Sequence, residues 1–230
     1  MLLKDIQKSI PDVSISTIRR DVKELEKEGI VTLLHGGAVK LYSKSVDTPI
    51  DKRGTLNKEA KQKLSDIAVE LVNDGDTVYI DSGSTNEEIL LKLIHKSVTI
   101  VTSSSLLVSL PEPMNATIYS LGGQLNTGNN SLIGEITNKA LLLFNFDVAF
   151  IGVNGVDINF GYTTPSIPEA EKKKIVLTRS VKSYFVCDSS KFHKVYMASV
   201  TGLKNTNLIT DKEDAGIKEK VSKYVTKIEK

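Results

Sequence analysis

A chain of 230 residues, 40% hydrophobic and 25% charged, has the length and apolar content for one large domain, or for a small domain beside a medium one, and is not a disordered polypeptide. Its net charge of +2 supplies no chain-wide attraction for nucleic acid, so any such binding must come from a local patch. The single cysteine, Cys187, has no internal partner, no Cys/His cluster suggests a metal or other cofactor, and no apolar run approaches the ~20 residues of a membrane span, so a reducing, cytoplasmic setting is expected.

A short helix is expected from Leu2 to about Ser9, followed by a turn at Pro11. Ser14 is a good N-cap for a second helix running from Ile15 to about Glu28 and stopped by Gly29. Advancing each residue by about 100° puts Ile15, Ile18, Val22 and Leu25 on one face. Ser16, Arg20 and Lys23 lie opposite, with Thr17 at the edge and Arg19 on the flank. The stretch "IVTLLHGGAVKL" then reads as two short strands turned at Gly36 and Gly37. Helix, turn, capped helix with a basic polar face and glycine hairpin is the order of a winged helix-turn-helix, whose second helix enters the major groove. Ser16, Thr17, Arg19, Arg20 and Lys23 are the candidate DNA contacts. A solvated surface helix is the competing reading, and the hairpin behind it favours DNA. This first domain is expected over residues 1–42.

Residues 43–57, with Pro49 and Gly54, read as a polar linker to a larger domain over 58–230. Helices are expected near Lys58–Val72, 86–94, 138–145 and 169–180. They alternate with strands at 77–81, 98–103, 116–122, 147–153, 183–188 and, last, 207–210. Short apolar strands alternating with helices indicate a mostly parallel α/β sheet. In such sheets ligands gather at the carboxyl ends of the strands.

Five segments at such ends carry suitable chemistry. "DSGST" (Asp81, Ser82, Gly83, Ser84, Thr85) stands between a strand and a helix, where backbone amides and the helix N-terminus suit an anion, although a simple capped turn fits equally well. It lacks the spaced Gly-Lys-Ser/Thr of a nucleotide-binding loop. Thr102 and Ser103 end the next strand, and Gly122 with Gly123 allow a close backbone approach. Asn154 and Asp157 follow a fourth strand, Asp188 and Lys191 a fifth. Glu169 and Lys173, four residues apart on a helix, can form a modest ion pair. Together these groups suit a phosphorylated polyol: amides and Lys for phosphate, carboxylates for hydroxyls.

The stretch "STIRRDVKELEKEGIVTLLHGGAV" resembles the DNA-binding segment of DeoR-type bacterial transcriptional regulators. The likeness rests on Ser14, Thr17, Ile18, Arg19, Arg20, Asp21, Leu25 and Glu26, then on His35, Gly36, Gly37 and Ala38, with Val22 where leucine is usual. It adds His35 to the DNA-contacting set. The family carries a further helix ahead of this point, so the winged helix-turn-helix is expected to lack its first helix and to leave the Ile15, Ile18 and Val22 face partly uncovered and weakly stable. Residues 58–211 resemble the family's sensor domain through "DGDTVYIDSGST", "LGGQL", "FDVAFIGVNGVD", "GYTTP", "EAEKKK", "DSSKF" and "LITD". Asn86, Ser103 and His193 depart from the usual threonine, asparagine and glycine.

The resemblance implies a fold similar to ribose-5-phosphate isomerase. It also implies a DNA-binding regulator, a homo-oligomer and a repressor of a sugar-metabolism operon, whose operator affinity responds to a phosphorylated sugar, with no catalytic residue and no membrane contact. The alternative is a sugar-phosphate isomerase-type enzyme, with Asp81, Asp157, Glu169 or Asp188 as base and Lys173 or Lys191 as its partner. The N-terminal module is an awkward companion for a metabolic enzyme.

Overall fold

The computed structural model describes residues 1–27, 31–34, 36–41, 50–110 and 113–227. The chain divides into two compact units, Met1–Val46 and Asp47–Lys230.

The first unit contains helices α1 (Leu3–Ser9) and α2 (Ile15–Lys27) and strands β1 (Val31–Leu34) and β2 (Ala38–Leu41). Ser14 caps α2, its Oγ accepting from the Thr17 amide at 3.1 Å. The amphipathic spacing is realised in part: Ile18 and Val22 are buried with Leu3 and Val31. Leu25, expected on the same face, remains 36% exposed, because it lies in the last turn, beyond the reach of that small core. β1 and β2 pair antiparallel from Val31↔Leu41 to Leu34↔Ala38, and Gly36 and Gly37 supply the positive φ angles (85° and 79°) of the turn. The hairpin gains a bridge from Leu2 to Ala38, with the Leu3 amide donating to the Gly37 carbonyl at 2.8 Å. Through Leu3, therefore, α1 covers Ile18 and Val22 of the face that was expected to be partly uncovered, while Ile15 stays half-exposed. His35 and Gly29 lie outside the described residues.

The second unit opens with α3 (Ile50–Thr55) and α4 (Lys58–Glu70), followed by β3 (Thr77–Ile80), α5 (Ser84–Leu93), β4 (Thr99–Thr102) and β5 (Thr117–Ser120). A hairpin of β6 (Gln124–Asn126) and β7 (Ser131–Ile133) leads into α6 (Glu135–Leu141) and β8 (Phe146–Gly152). Next come β9 (Gly155–Asp157), β10 (Gly161–Thr164), α7 (Ile167–Thr178), β11 (Ser180–Val186), β12 (Ala198–Thr201), β13 (Asn207–Ile209), α8 (Ala215–Lys218) and β14 (Lys223–Val225). Seven strands form one sheet in the order β14-β13-β11-β8-β3-β4-β5, and every pairing in it is parallel. Such strands need cover on both faces, and two clusters provide it. Leu64, Ile67 and Ala68 of α4 with Ile89, Leu90 and Leu93 of α5 pack on one face. Leu141 of α6 with Ala170 and Val176 of α7 pack on the other.

Several expectations need correction. The sheet does not end at 207–210: β14 follows and pairs with β13. The short antiparallel sheet β12-β10-β9 was not foreseen, because three- and four-residue strands containing glycine and hydroxyl side chains carry little apolar alternation. Part of the stretch expected as linker is the helix α3, and it belongs to the second unit.

Candidate functional site

In the first unit, Ser16, Arg19, Arg20 and Lys23 lie exposed along α2, and Thr17 is half-buried. Ser16 Oγ and Thr17 Oγ1 lie 2.7 and 2.8 Å from Ser14 Oγ, so the cap holds both hydroxyls in place at the helix start. Arg20 Nε lies 3.7 Å from Asp21 Oδ1 in an exposed pair of the kind that contributes little, which leaves the guanidinium available to another partner.

In the second unit the strand order reverses between β3 and β8, so chain segments leave the two strands in opposite directions and open a crevice at their carboxyl ends. A cleft lies there. Ser82, Gly83, Ser84, Thr85 and Asn86 line it after β3, Gly152, Val153 and Asn154 after β8, and Cys187, Asp188, Ser190 and Lys191 after β11. Glu169 and Lys173 of α7 reach it from one side, Arg53, Asn57 and Lys61 from another. Gly83 is the N-cap of α5 with φ 114°, a conformation that β-carbon-bearing residues rarely adopt, and it turns the chain so that the first amides of the ten-residue helix meet the cleft.

Beneath the cleft Asp81, Glu169, Lys172 and Lys173 form a buried network. Lys173 donates to Asp81 Oδ2 and, at 3.2 Å, to Glu169 Oε2. Lys172 Nζ lies 3.0 Å from Glu169 Oε2 and 3.3 Å from Asp81 Oδ1, and it donates to Ser131 Oγ at 2.7 Å and Ser103 Oγ at 3.0 Å. The Tyr79 hydroxyl and the Ser82 and Gly152 amides also donate to Asp81, at 3.1, 3.0 and 3.2 Å. Two carboxylates and two ammonium groups balance, which is what makes their burial tolerable. Burial drives the Asp81 carboxyl upward, but Lys173 and Lys172 outweigh it and hold the group below its ordinary range. Glu169 is held low in the same way, burial again being overcome by Lys172 and Lys173. Burial lowers the Lys173 ammonium, while Asp81 and Glu169 together raise it above its ordinary value. At the mouth, burial keeps the Lys61 ammonium below its usual value, with Lys191 and Arg53 acting in the same sense and Asp188 against it.

The expected residues thus separate into three groups. Ser82, Gly83, Ser84, Thr85, Asn154, Glu169, Lys173, Asp188 and Lys191 meet at the cleft. Asp81 and Ser103 are fully buried beneath it, bonded to Tyr79 and the lysines. Glu169 and Lys173 do form the ion pair that their spacing suggested, but as part of a buried network. Thr102, Gly122, Gly123 and Asp157 do not line the cleft. Thr102 Oγ1 accepts from the Ser104 amide, and Asp157 Oδ1 accepts from the Asn159 and Phe160 amides to close a turn. At Gly123 a β-carbon would stand 2.1 Å from Thr137 Oγ1, so the close approach there is to α6 and not to a ligand. Lys172, Tyr79, Asn129, Lys61 and Asn57 went unrecognised as site groups. Only Lys172 had a visible signal, since it lies beside Lys173 and three residues after Glu169 in "EAEKKK".

Residues 56–212 match the DeoR C terminal sensor domain, and residues 10–44 match the DeoR-like helix-turn-helix domain. The chain is 33% identical over 222 residues to the lactose phosphotransferase system repressor of Staphylococcus epidermidis, an alignment that covers 93% of this chain and 87% of that protein. It is 29% identical over 224 residues to the uncharacterized HTH-type transcriptional regulator FruR of Bacillus subtilis, covering 96% of this chain and 89% of the relative. Among solved structures, ribose 5-phosphate isomerase A of Methanocaldococcus jannaschii aligns at 20% identity with a TM-score of 0.43, over 59% of this chain and 55% of that one, and a likeness this slight carries no argument. No described helix is long and apolar enough to cross a membrane.

Proposed function

The chain belongs to the DeoR family of transcriptional regulators, and from that premise we propose that it is a repressor of a sugar-metabolism operon whose hold on operator DNA is set by a phosphorylated sugar bound in the second unit. The observation that carries this reading is the cleft at the strand-order reversal. It brings the amide-rich start of α5 together with Lys191 and Lys61 and with Asn154, Glu169 and Asp188. The names of the relatives, a lactose phosphotransferase system repressor among them, support the sugar connection.

In this reading Ser16, Thr17, Arg19, Arg20 and Lys23 contact DNA, and a homo-oligomer pairs two copies of α2 on half-sites about one helical turn apart, or a multiple of that. The effector acts by binding two arrangements of the assembly with unequal affinity, since equal affinity shifts nothing. An isomerase reading has weaker support. Of the candidate bases, Asp81 is fully buried beneath the cleft and held by Lys172 and Lys173, and Glu169 is held by the same two lysines.

The test is a thermal-shift screen of phosphorylated sugars beside their unphosphorylated parents, followed by operator binding with and without any hit. A ligand at ~100 times its dissociation constant adds about 2.7 kcal/mol and several degrees. A hit that also changes operator affinity supports the reading. A hit that is turned over favours the isomerase, and a screen without hits removes the sensor claim.

A further inference from the structure

The seven-stranded sheet has two edges, and they differ. At one, β14 has the exposed ammonium groups of Lys218, Lys220 and Lys223 before and within it, a usual guard against pairing with another chain. At the other edge β5, "TIYS", has no such guard. Residues 113–134 hold no charged side chain at all, in a chain of which 25% is charged.

The outer side of β5 pairs with no strand among the described residues. The Thr117 and Leu121 amides donate inward, to the Val98 and Thr102 carbonyls at 3.0 and 3.2 Å. Alternation along the strand therefore turns the amides and carbonyls of Ile118 and Ser120 outward. Thr117, Tyr119 and Ser120 are exposed, so this side meets solvent. Apolar surface continues beside it. The Tyr119 ring, 49% exposed, packs on Phe144 with centroids 5.6 Å apart, and just before Phe144 stand Leu142 and Leu143, 53% and 81% exposed. Arg179 pins this turn by donating to the Phe144 and Leu142 carbonyls at 2.9 and 3.1 Å. Single exposed leucines are common on soluble proteins. Two held beside an accessible aromatic pair and a bare strand edge make a contiguous patch.

We propose that two copies of this chain join at the β5 edge, pairing β5 with β5 antiparallel about a two-fold axis at Tyr119. With the axis there, Ile118 of each copy stands opposite Ser120 of the other. The outward amides and carbonyls then satisfy one another, and the two sheets become one. Tyr119 meets its own copy in a non-hydrogen-bonded pair, where side chains come closest. The missing charge is what selects a second copy as occupant. Near a two-fold axis each side chain faces itself, so any charge there would meet its like, whereas an unrelated partner could offer the opposite sign. A stable interface engages about 20–30 residues a side, so the four-residue strand is its centre and the apolar patch extends it. This rests on the homo-oligomer of the reading above and adds the surface that forms it.

The experiment is sedimentation equilibrium of the full chain, of Tyr119→Lys and Ser120→Pro, and of Phe160→Lys as a control. Phe160, 62% exposed, lies in the turn between β9 and β10. Ser120→Pro removes an outward amide and spares the bonds to β4, so it tests the ladder without breaking the sheet. The parent is expected at an even multiple of the 25.2 kDa chain mass. Tyr119→Lys and Ser120→Pro should each weaken self-association about tenfold or more, and Phe160→Lys should leave it unchanged. A second measurement needs no dissociation. Under oxidant Tyr119→Cys should form a covalent dimer, because α-carbons in such a pair lie about 4.5 Å apart, within disulfide reach. Phe160→Cys should not, and the native Cys187 is buried and does not compete. A parent that stays a single chain at every concentration overturns the inference together with the homo-oligomer. An oligomer unchanged in both Tyr119→Lys and Ser120→Pro, or a Tyr119→Cys chain that does not cross-link, overturns this interface and leaves the homo-oligomer standing.

Discussion

Lys173 closes on Asp81, 92 positions earlier in the chain, and in doing so ties α7 to the carboxyl end of β3 beneath the cleft. Lys172, the neighbouring residue, reaches the other oxygen of the same carboxylate. Consecutive residues on a helix point about 100° apart, so both reach one target only because Asp81 sits opposite the groove between them and Glu169 bridges the two ammonium groups from one turn back. The floor of the cleft is thus an electrostatic lock between two elements distant in sequence.

Removing one member should therefore be far more damaging than a surface mutation. Lys173→Met leaves Asp81 and Glu169 sharing Lys172 in a dry site, and it is expected to destabilise the second unit by about 3–5 kcal/mol. Asp81→Asn should be of similar size, and the double variant should cost less than the two single effects added together. Urea unfolding measures all three. Additive costs would show that the contact between Lys173 and Asp81 contributes nothing of its own.

The same network fixes the shape of the pH profile. Asp81 and Glu169 have folded values below their unfolded ones, so their contribution is full above the unfolded carboxylate values of about 3.9 and 4.3 and is lost as pH falls through the folded values. Lys173 is raised, so its contribution is full below the unfolded value of about 10.4 and is lost as pH rises through the folded one. Urea midpoints should hold level from about pH 5 to 9 and fall at both ends. In Lys173→Met the acid decline should begin at higher pH, because the carboxylates have lost a cation. An acid limb that does not move would mean that the decline belongs to other carboxylates.

On α2, Arg20→Ala is expected to weaken operator binding by about 1–3 kcal/mol if the guanidinium reads a base edge. Asp21→Ala should change it far less, since its exposed 3.7 Å contact with Arg20 does not hold the side chain firmly. Electrophoretic mobility shifts at several salt concentrations separate the possibilities. A loss that is uniform across operator sequences, together with a salt dependence lowered by about one ion, would reassign Arg20 to a phosphate.

What the sequence disclosed and what it withheld follow from how local each signal is. The junction of β3 and α5 was legible as a strand-to-helix turn, because small and hydroxyl residues there follow a short apolar run. Lys172 was less so: it lies beside Lys173 in "EAEKKK", but only the depth of Asp81, Ser103 and Ser131 makes it, with Lys173, one of two buried ions. Gly122 and Gly123 misled for the opposite reason. A close backbone approach was inferred correctly, but the partner is the Thr137 side chain.

His193 shows a departure from a family pattern acquiring a physical cause. Its φ is 57°, in the left-handed region where glycine is at ease, which accounts for the glycine usual at this position. The side chain contacts Asp214 Oδ2 at 2.9 Å in a solvent-exposed pair that adds little. His193→Gly should therefore change stability by less than about 1 kcal/mol despite losing the pair, because relief of the backbone offsets it. His193→Val, branched at the β-carbon, should cost about 1–3 kcal/mol. If denaturant unfolding ranks glycine below valine, the side-chain contact and not the backbone governs this position.

The first unit closes on four buried apolar side chains among the described residues, Leu3, Ile18, Val22 and Val31. With so small a core, one contact carries a large share of the total. Leu3→Ala is expected to cost about 2–3 kcal/mol, toward the low end for buried leucines because the site lies near the surface and can partly collapse. That is a large fraction of what a core this size supplies. Amide hydrogen exchange should then show Ile15–Lys27 losing most of its protection while Phe146–Gly152, at the centre of the larger sheet, keeps its own. Operator binding should fall with it, since α2 must be folded to present Arg19 and Arg20. Persistent protection of α2 in Leu3→Ala would mean that Ile18 and Val22 are held by something other than α1.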